Sequence, residues 1–331
     1  MAPLPNARLK LFDLRLHKQR PREDSGISNR FSMWGRAVML CHMAKETPAR
    51  GETCGQSWCP PVPPALSRAS NSRNAQRFVP FIPLEGIKYE TSGKERIRVM
   101  TYVLSDIHGH LRRFRSVLEQ IRPGPEDTLF VLGDVIDRHP DGIRILAALM
   151  ASPFVRMIPG NHEDMMLAAL ADRYDMGRRE DMRARSRALA LWYANGGEDT
   201  HRAVERLSER ERNRIFAYLR SLPLSLDTEV NGVRYRLVHG APEELTPDGE
   251  DVRQFSLWQR VMPDDPLPPG VTVIFGHTPT ARYQDEDPLR IWYGERRIGI
   301  DCGSGFPEID PAYGRLACLR LDDMREFYSE M

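Results

Sequence analysis

The stretch Tyr102-Val103-Leu104-Ser105-Asp106-Ile107-His108-Gly109 joins an apolar run to a carboxylate and an imidazole. The run Tyr102–Leu104 is short and apolar, so it predicts a buried strand. Asp106 and His108 follow with one residue between them, a spacing that lets both side chains face the same way as the strand ends. The stretch therefore predicts a strand that presents two polar side chains at its carboxyl end.

Two later stretches repeat this arrangement of an apolar run followed by polar residues. Leu129–Leu132 precedes Gly133-Asp134-Val135-Ile136-Asp137-Arg138, and Val155–Ile158 precedes Gly160-Asn161-His162-Glu163. Each run has the length of a buried strand, and the polar residues follow at its end. We therefore expect three strands whose carboxyl ends all carry polar side chains.

Helical segments separate these three strands. Apolar residues recur three and four positions apart over Leu111–Ile121, and a second helix is predicted around Gly142–Met150. Alternating strands and helices predict βα units, with neighbouring parallel strands and right-handed crossovers. Ligands of such sheets gather beyond the carboxyl ends of the strands, where all three polar stretches lie.

The second half of the chain changes in character. A helical insertion is predicted over about residues 163–220, and strands predominate after Pro223. These strands are predicted at Ser225–Glu229, Val233–Val238, Val271–Phe275, Ile298–Asp301 and Leu316–Leu321. We therefore expect an α/β domain over residues 100–331, in which two mixed β-sheets pack together with helices outside.

The composition changes sharply near Met100. The preceding residues, 1–99, are rich in Arg, Pro and Ser and lack sustained periodicity. Such a segment has little apolar surface to offset its ordering entropy, so we expect a disordered extension. Met100 stands directly before the first strand, and the alternative interpretation is that the chain starts there and that the upstream segment is not native.

Charge and hydropathy bear on the partners. The chain of 331 residues has a formal net charge of +1, so no global field indicates a nucleic-acid or anionic-membrane partner. No apolar run approaches the ~20 residues of a membrane span, and no secretory leader is recognisable. We therefore expect a cytoplasmic protein with no nucleic-acid and no membrane partner.

The five cysteines are odd in number and irregularly spaced, which argues against a disulfide framework. Cys54 and Cys59 lack a second close pair, so free thiols are favoured there over a zinc site. Cys302 and Cys318 lie in apolar, strand-like runs, and we expect both to be buried thiols.

Two histidines farther along the chain also end apolar runs. His239 follows Leu237-Val238, and His277 follows Ile274-Phe275-Gly276. Carboxylate, amide and imidazole groups from neighbouring strand ends are the donors that a pair of divalent cations needs, and they suit Mn, Fe or Zn. The candidate donors are Asp106, His108, Asp134, Asn161, His239 and His277. Two such cations make a nucleophile from water and bind a phosphoryl group, so the pattern predicts a metal-dependent phosphoesterase.

The ordered motifs resemble those of the phosphoprotein phosphatase family within the calcineurin-like metallophosphoesterases, and most of all those of bacterial serine/threonine protein phosphatases. The likeness covers Met100 to nearly the end of the chain. Shared stretches besides the three motifs include Asn195-Gly196-Gly197, Gly276-His277-Thr278-Pro279-Thr280, Gly299-Ile300-Asp301-Cys302-Gly303 and Gly314-Arg315-Leu316-Ala317. The resemblance implies the four-layer sandwich of that family, two mixed β-sheets flanked by helices.

The resemblance also implies how the donors divide between two metals. Asp106 and His108 would hold one metal together with Asp134, which would bridge to the other. Asn161, His239 and His277 would complete the second set. We expect two divalent ions, Mn²⁺ first, with Fe or Zn as alternatives.

Catalytic and phosphate-binding roles follow from the same resemblance. His162 would be the general acid, oriented by Asp137, and Arg138 would contact phosphate, as would Asn161. Leu257-Trp258-Gln259-Arg260 is similar to the Trp-x-Arg segment of the family, which makes Arg260 a further phosphate-binding candidate beside the plainer interpretation of a surface arginine. A metal-bridging hydroxide would attack phosphorus while His162 protonates the leaving alkoxide.

The function predicted from the sequence is therefore phosphomonoester hydrolysis, with a serine/threonine protein phosphatase acting on phosphoproteins as the first hypothesis. The alternatives are a symmetrical bis(5'-nucleosyl)-tetraphosphatase, a generic nucleotide phosphohydrolase and a non-catalytic phosphate-binding scaffold. Tetraphosphatases share the scaffold but tend to lack an acidic residue at the position of Asp137, which favours monoesters.

Overall fold

The computed structural model describes residues 99–174, 182–306 and 314–330. The strands are β1 (Thr101–Leu104), β2 (Thr128–Leu132), β3 (Val155–Ile158), β4 (Ser225–Val230), β5 (Val233–Val238), β6 (Thr272–Phe275), β7 (Trp292–Gly294), β8 (Arg297–Gly299), β9 (Ala317–Arg320) and β10 (Arg325–Tyr328). The α-helices are α1 (Leu111–Ile121), α2 (Gly142–Ala151), α3 (Asn161–Tyr174), α4 (Met182–Ala194), α5 (Glu198–Glu205), α6 (Glu209–Ser221) and α7 (Val252–Trp258). The extension predicted for residues 1–99 lies outside the described residues, apart from Val99.

Two five-stranded sheets carry the fold. The first has the order β10-β9-β1-β2-β3, and the second has the order β4-β5-β6-β8-β7. In the first sheet, β1, β2 and β3 are parallel, whereas β9 runs antiparallel to both of its neighbours. In the second sheet, β5, β6 and β8 are parallel, and the edge strands β4 and β7 run antiparallel to them. Both sheets are mixed, as the sequence predicts.

The alternation of side chains along the strands produces the layers. Tyr102 and Leu104 on β1 pack with α1, α2 and α3 in one apolar cluster. Val103, which points to the opposite face, packs with Leu237 and Ile274 of the second sheet in another cluster. The far face of the second sheet is covered by α7 and by loops. The order is therefore helices, sheet, sheet, helix, which is the predicted four-layer sandwich.

The described helices between β3 and β4 are α3 to α6, in the region where the sequence predicts an insertion. Only Trp192 is buried along α4. Helix α6 begins with a capping box, in which the hydroxyl of Ser208 accepts the backbone N–H of Glu211 and the carboxylate of Glu211 accepts the backbone N–H of Ser208. Such a box satisfies N–H groups that the first turn leaves without partners.

Among the described helices, none combines the length and the apolar composition that a membrane span needs. Cys302 and Cys318 are buried free thiols, as the apolar runs around them predict. The other three cysteines lie outside the described residues.

Candidate metal centre

The parallel strands bring the polar stretches to one edge of the molecule. The loops after β1 and β2 are joined by a backbone hydrogen bond from His108 to Asp134 of 2.9 Å. The two sheets meet there as well, because the backbone N–H of His277, after β6, donates to the carboxylate of Asp106 at 3.0 Å. Strand ends that are distant in sequence therefore form one site.

Two groups of donor residues each bring their ligand atoms within 4.8 Å of one another. The first group is His108, Asp134 and His162, and the second is Asp134, His239 and His277. Asp134 belongs to both groups, which is the geometry that a bridging carboxylate needs. Asp106 lies beside the first group, with Oδ1 at 3.8 Å from Nε2 of His108.

The second group is shaped for a cation by the orientation of its imidazoles. Nδ1 of His239 lies 2.7 Å from the carbonyl of Leu132, and Nε2 of His277 lies 3.1 Å from the carbonyl of Trp258. A carbonyl only accepts, so these ring nitrogens carry the protons. The remaining nitrogens then offer lone pairs, and both point at Oδ1 of Asn161, at 3.0 Å and 2.9 Å. Lone pairs that face one another repel unless a cation lies among them, so this donor set fits a metal ion.

In the first group the imidazole of His108 is oriented in the same way, but the contacts are longer. Nδ1 of His108 faces the carbonyl of Ile136 at 3.3 Å. Its Nε2 therefore faces Oδ2 of Asp134 at 3.7 Å. Nε2 of His162 lies 3.9 Å from the same oxygen.

Electrostatics favour a cation at the same place. Burial lowers the pKa values of His108, His239 and His277 below the ordinary value, which favours the neutral imidazole that a metal ligand must be. Burial, together with the neighbouring carboxylates of Asp301 and Asp134, raises the pKa of Asp106 well above its ordinary value. A divalent ion would remove the repulsion between these acidic groups.

Asp134 itself stays ionised. Its pKa lies well below the ordinary value: burial acts to raise it, but at the low pH where it would titrate the positive charges of His239, His162 and His108, together with the backbone N–H of His162, lower it. One anionic carboxylate surrounded by imidazoles is therefore available to bridge the two groups.

Backbone strain is concentrated at this site. Eleven non-glycine residues of the described chain have a positive φ, and six of these are candidate site residues. The six are Asp106, His108, Asp134, Asp137, Arg138 and His277, with φ between 49° and 70°. Each such conformation costs about 1–3 kcal/mol and persists only where the surroundings enforce it, which is typical of functional sites.

Glycines allow the loops to come this close. A Cβ on Gly160 would lie 2.5 Å from the backbone nitrogen of Asp134 and would collide with Oδ1 of the same residue. A Cβ on Gly276 would collide with the side chains of Ser105 and Asp106. Both glycines are therefore required by close approach to the donor residues.

Glu163 has a structural role that the sequence did not reveal. Its carboxylate is fully buried and accepts backbone N–H groups of Asp134, Val135 and Gly160 at 2.8–2.9 Å, and that of Ile136 at 3.3 Å. Burial is the largest cause that raises its pKa to about 7. Glu163 thus fixes the loop that carries Asp134. The only sequence signal was its place at the end of Gly160-Asn161-His162-Glu163, whose glycine it contacts.

Asp301 is a second acidic residue that received no role from the sequence. It is 5% exposed and its Oδ1 accepts the backbone N–H of Gly303 at 2.9 Å. Burial raises its pKa to about 6, and the charges of Arg138 and Arg260 act against that rise. Asp301 therefore adds negative charge next to the donor groups.

His162 and Asp137 form a close pair beside the metal donors. Nδ1 of His162 lies 2.7 Å from Oδ2 of Asp137, and both side chains are at most 1% exposed. Nε2 of His162 lies 3.3 Å from Nη2 of Arg138, whose residue is exposed. The imidazole therefore has one nitrogen held by a carboxylate and the other directed toward the donor groups and the arginine.

Arg260 reaches the site from the loop after α7. Its Nη1 donates to Oγ1 of Thr278 at 3.2 Å and approaches the carbonyl of His277 at 3.5 Å. Arg260 is half-buried, and this burial lowers its pKa. All the residues that the sequence predicted for the site therefore lie in one region.

Comparison with known proteins identifies relatives of this arrangement. Residues 100–301 match the calcineurin-like phosphoesterase family. The chain is 30% identical over 192 residues to serine/threonine-protein phosphatase 1 of Salmonella typhimurium, an alignment that covers 56% of this chain and 81% of that protein.

Of two further similarities, one is shorter and the other has a lower sequence identity. A symmetrical bis(5'-nucleosyl)-tetraphosphatase of Pectobacterium carotovorum is 38% identical over 73 residues, which are 22% of this chain and only 26% of that enzyme. A solved protein serine/threonine phosphatase from Saccharomyces cerevisiae covers 70% of this chain and 80% of its own, with 15% identity and a TM-score of 0.44.

Proposed function

The chain belongs to the calcineurin-like phosphoesterase family and is thus a metallophosphoesterase, and from that premise we propose that it is a phosphomonoesterase acting on phosphoserine and phosphothreonine in proteins. The observation that carries the proposal is the His162–Asp137 pair, 2.7 Å apart and next to the metal donors. An alkoxide is a poor leaving group, so a monoesterase for alkyl phosphates needs an acid there.

We propose that one metal is held by Asp106, His108 and Asp134, and the other by Asp134, Asn161, His239 and His277. Carboxylate, amide and imidazole donors suit Mn²⁺, with Fe or Zn as alternatives. When bound, such a pair of ions supplies a nucleophile from water and neutralises charge on the phosphoryl oxygens.

His162 performs the proton transfer in this proposal. In its acid form His162 is an imidazolium, which donates a hydrogen bond from Nδ1 to Asp137 and carries on Nε2 the proton that moves to the departing oxygen. Once the proton has moved, His162 is a neutral imidazole that still donates from Nδ1 to Asp137. The two ring nitrogens therefore have different roles: Nδ1 fixes the orientation of the imidazole, and Nε2 carries the proton that is transferred.

Two arginines bind the phosphoryl group in this proposal. Arg138 is exposed and its guanidinium shares the space in front of Nε2 of His162. Arg260 lies beside His277 and Thr278, on the side of the second metal group. Both can donate to the equatorial oxygens of a phosphoryl group, where negative charge builds up, and Asn161 provides a further polar group.

We favour a phosphoprotein substrate because the alignment with the protein phosphatase extends over most of that enzyme. The alignment with the Salmonella phosphatase covers 81% of that protein, whereas that with the Pectobacterium tetraphosphatase covers 26%. Asp137, the acid partner, also favours monoesters. A dinucleoside tetraphosphate is the second candidate substrate.

The test is Mn²⁺-dependent hydrolysis of a phosphothreonine peptide and of diadenosine tetraphosphate at matched concentrations. We expect a higher kcat/KM for the peptide. A higher kcat/KM for the dinucleotide would contradict this proposal and indicate that the protein hydrolyses dinucleoside polyphosphates. Failure to hydrolyse either compound with metals bound would favour a phosphate-binding scaffold.

A further inference from the structure

Trp192 donates a hydrogen bond to the same carboxylate oxygen that holds the candidate general acid. Its Nε1 lies 2.7 Å from Oδ2 of Asp137, the distance at which Nδ1 of His162 lies from that oxygen. Trp192 and Asp137 are both 0% exposed. A buried indole N–H needs an acceptor, and here the acceptor is the carboxylate that also pairs with the candidate general acid.

The other oxygen of Asp137 has no such restraint. Oδ1 is buried and has no hydrogen-bond partner within the described parts of the chain. A carboxylate can rotate about its Cβ–Cγ bond; a half-turn only exchanges its two equivalent oxygens, but intermediate orientations move both oxygens away from His162. With both donors on Oδ2, rotation into such an orientation would break two hydrogen bonds, whereas without the indole it would break only the bond to His162.

The surroundings of the indole keep it in this position. The backbone N–H of Gly197 donates to the carbonyl of Trp192 at 3.1 Å, and a Cβ on Gly197 would lie 2.5 Å from Nε1. On its other side the indole packs against the ring of His201, 5.6 Å between centroids. The same turn fixes the loop of the acid pair, because the backbone N–H of Arg138 donates to the carbonyl of Gly196 at 3.0 Å.

We propose that Trp192 is a positioning residue for proton transfer, which fixes Asp137 so that Nε2 of His162 is directed at the leaving oxygen. This inference rests on the proposed function, in which His162 is the acid. No bond is formed or broken at the indole. The proton that moves is the one on Nε2 of His162. The helical segment that contains α4 thereby contributes to catalysis and not only to packing.

A leaving-group experiment separates positioning from packing. Trp192→Phe removes the N–H and keeps an aromatic ring, and Tyr193→Phe, which removes only the hydroxyl that contacts His201 from the next residue, is the matched control. Each variant is assayed as the full chain with Mn²⁺ on a phosphothreonine peptide and on 2,4-dinitrophenyl phosphate. Dinitrophenolate leaves without protonation, so a general acid is not needed for the second substrate.

We expect Trp192→Phe to lower kcat for the peptide about 10-fold to 100-fold, because a general acid supplies about 10²–10⁴-fold in rate. The kcat for dinitrophenyl phosphate, whose leaving group needs no acid, should change less than about 3-fold. Tyr193→Phe should match the wild type on both substrates. Equal losses on both substrates in Trp192→Phe would overturn the proposal and leave the indole as packing alone.

A second replacement at position 192 keeps the proposal testable if Trp192→Phe does not fold. In 3-benzothienylalanine a sulfur atom replaces the N–H within a side chain of nearly the same shape. A peptide rate equal to that of the wild type with this residue at position 192 would contradict the proposal, and a selective loss would support it.

His162→Asn, tested in parallel, distinguishes failure of this inference from failure of the proposed function. A selective loss in His162→Asn, with wild-type rates in both Trp192 variants, would overturn the role of Trp192 and keep the acid. Absence of a selective loss in His162→Asn would overturn the acid assignment, and the role of Trp192 with it.

Discussion

Asp134 is the side chain that both groups of metal donors share. Its Oδ2 lies 3.7 Å from His108 and 3.5 Å from His239, and its Oδ1 accepts the backbone N–H of His162 at 3.0 Å. One residue thus couples two positions that are otherwise built from different strands.

Asp134→Asn should therefore deplete both metals together. An amide keeps the shape of the side chain but removes the negative charge on which two cations depend. Metal analysis of the purified protein should fall from about two ions per chain toward zero, with kcat falling in parallel. Asp323→Asn is the control, since Asp323 is an exposed carboxylate that pairs with Arg320 in the turn between β9 and β10. Retention of two ions by Asp134→Asn would contradict the bridging role.

At the scale of elements, the site depends on how closely the loop after β2 approaches the turn that precedes α3. Gly160 lies against Asp134 at that contact, and the carboxylate of Glu163 bonds to both loops. The donors are thus held by backbone packing as much as by their own side chains.

Gly160→Ala should remove the metals while leaving the fold largely intact. The added Cβ would displace Asp134, whose backbone nitrogen would lie only 2.5 Å from it. We expect metal content to fall at least about 10-fold with an unchanged far-ultraviolet circular dichroism spectrum. Gly124→Ala is a matched control, because its Cβ would make an ordinary 3.6 Å contact with Asp127. Normal metal content in Gly160→Ala would show that the contact is not needed.

The sequence predicted the elements wherever an apolar run or a helical period was long enough. The bounds of β3, β5 and α1 agree with those predicted, and β2 begins one residue before the apolar run that predicted it. Strands β7 and β10 were missed because each is short and carries few apolar residues, and their places are set by pairing with distant strands. The strand predicted at Ile298–Asp301 ends earlier, at Gly299, because Asp301 turns to accept the N–H of Gly303.

The same reasoning explains which site residues were predicted. The candidate metal donors follow apolar runs closely, so local sequence predicts them. Glu163 and Trp192 act through contacts with residues on other segments, to Asp134 and to Asp137, and no local spacing encodes such contacts. Their roles required the tertiary structure.

At the scale of the whole molecule, the interior holds two cysteines in different apolar clusters. Cys302 lies between the two sheets, and Cys318 on β9 packs toward the helices. Burial raises the pKa of both thiols well above the ordinary value. Because the thiolate is the reactive form, folding should suppress alkylation at neutral and mildly alkaline pH.

Iodoacetamide at about pH 8 should therefore leave both cysteines unmodified in the native protein and modify both in guanidinium chloride. Peptide mass spectrometry measures the two sites separately from the other cysteines, and the unfolded sample is the internal control. Rapid native modification of Cys318 would mean that the helix-covered core is open to solvent.

The decisive measurement is the metal content and peptide turnover of His162→Asn, determined on the same preparation. We assign His162 to proton donation and not to metal binding, although its Nε2 lies 3.9 Å from Asp134. We therefore expect both metals to stay bound and kcat for the phosphothreonine peptide to fall about 10²–10⁴-fold below that of the wild type. Loss of a metal would make His162 a ligand, and wild-type turnover with both metals bound would contradict its role as the acid.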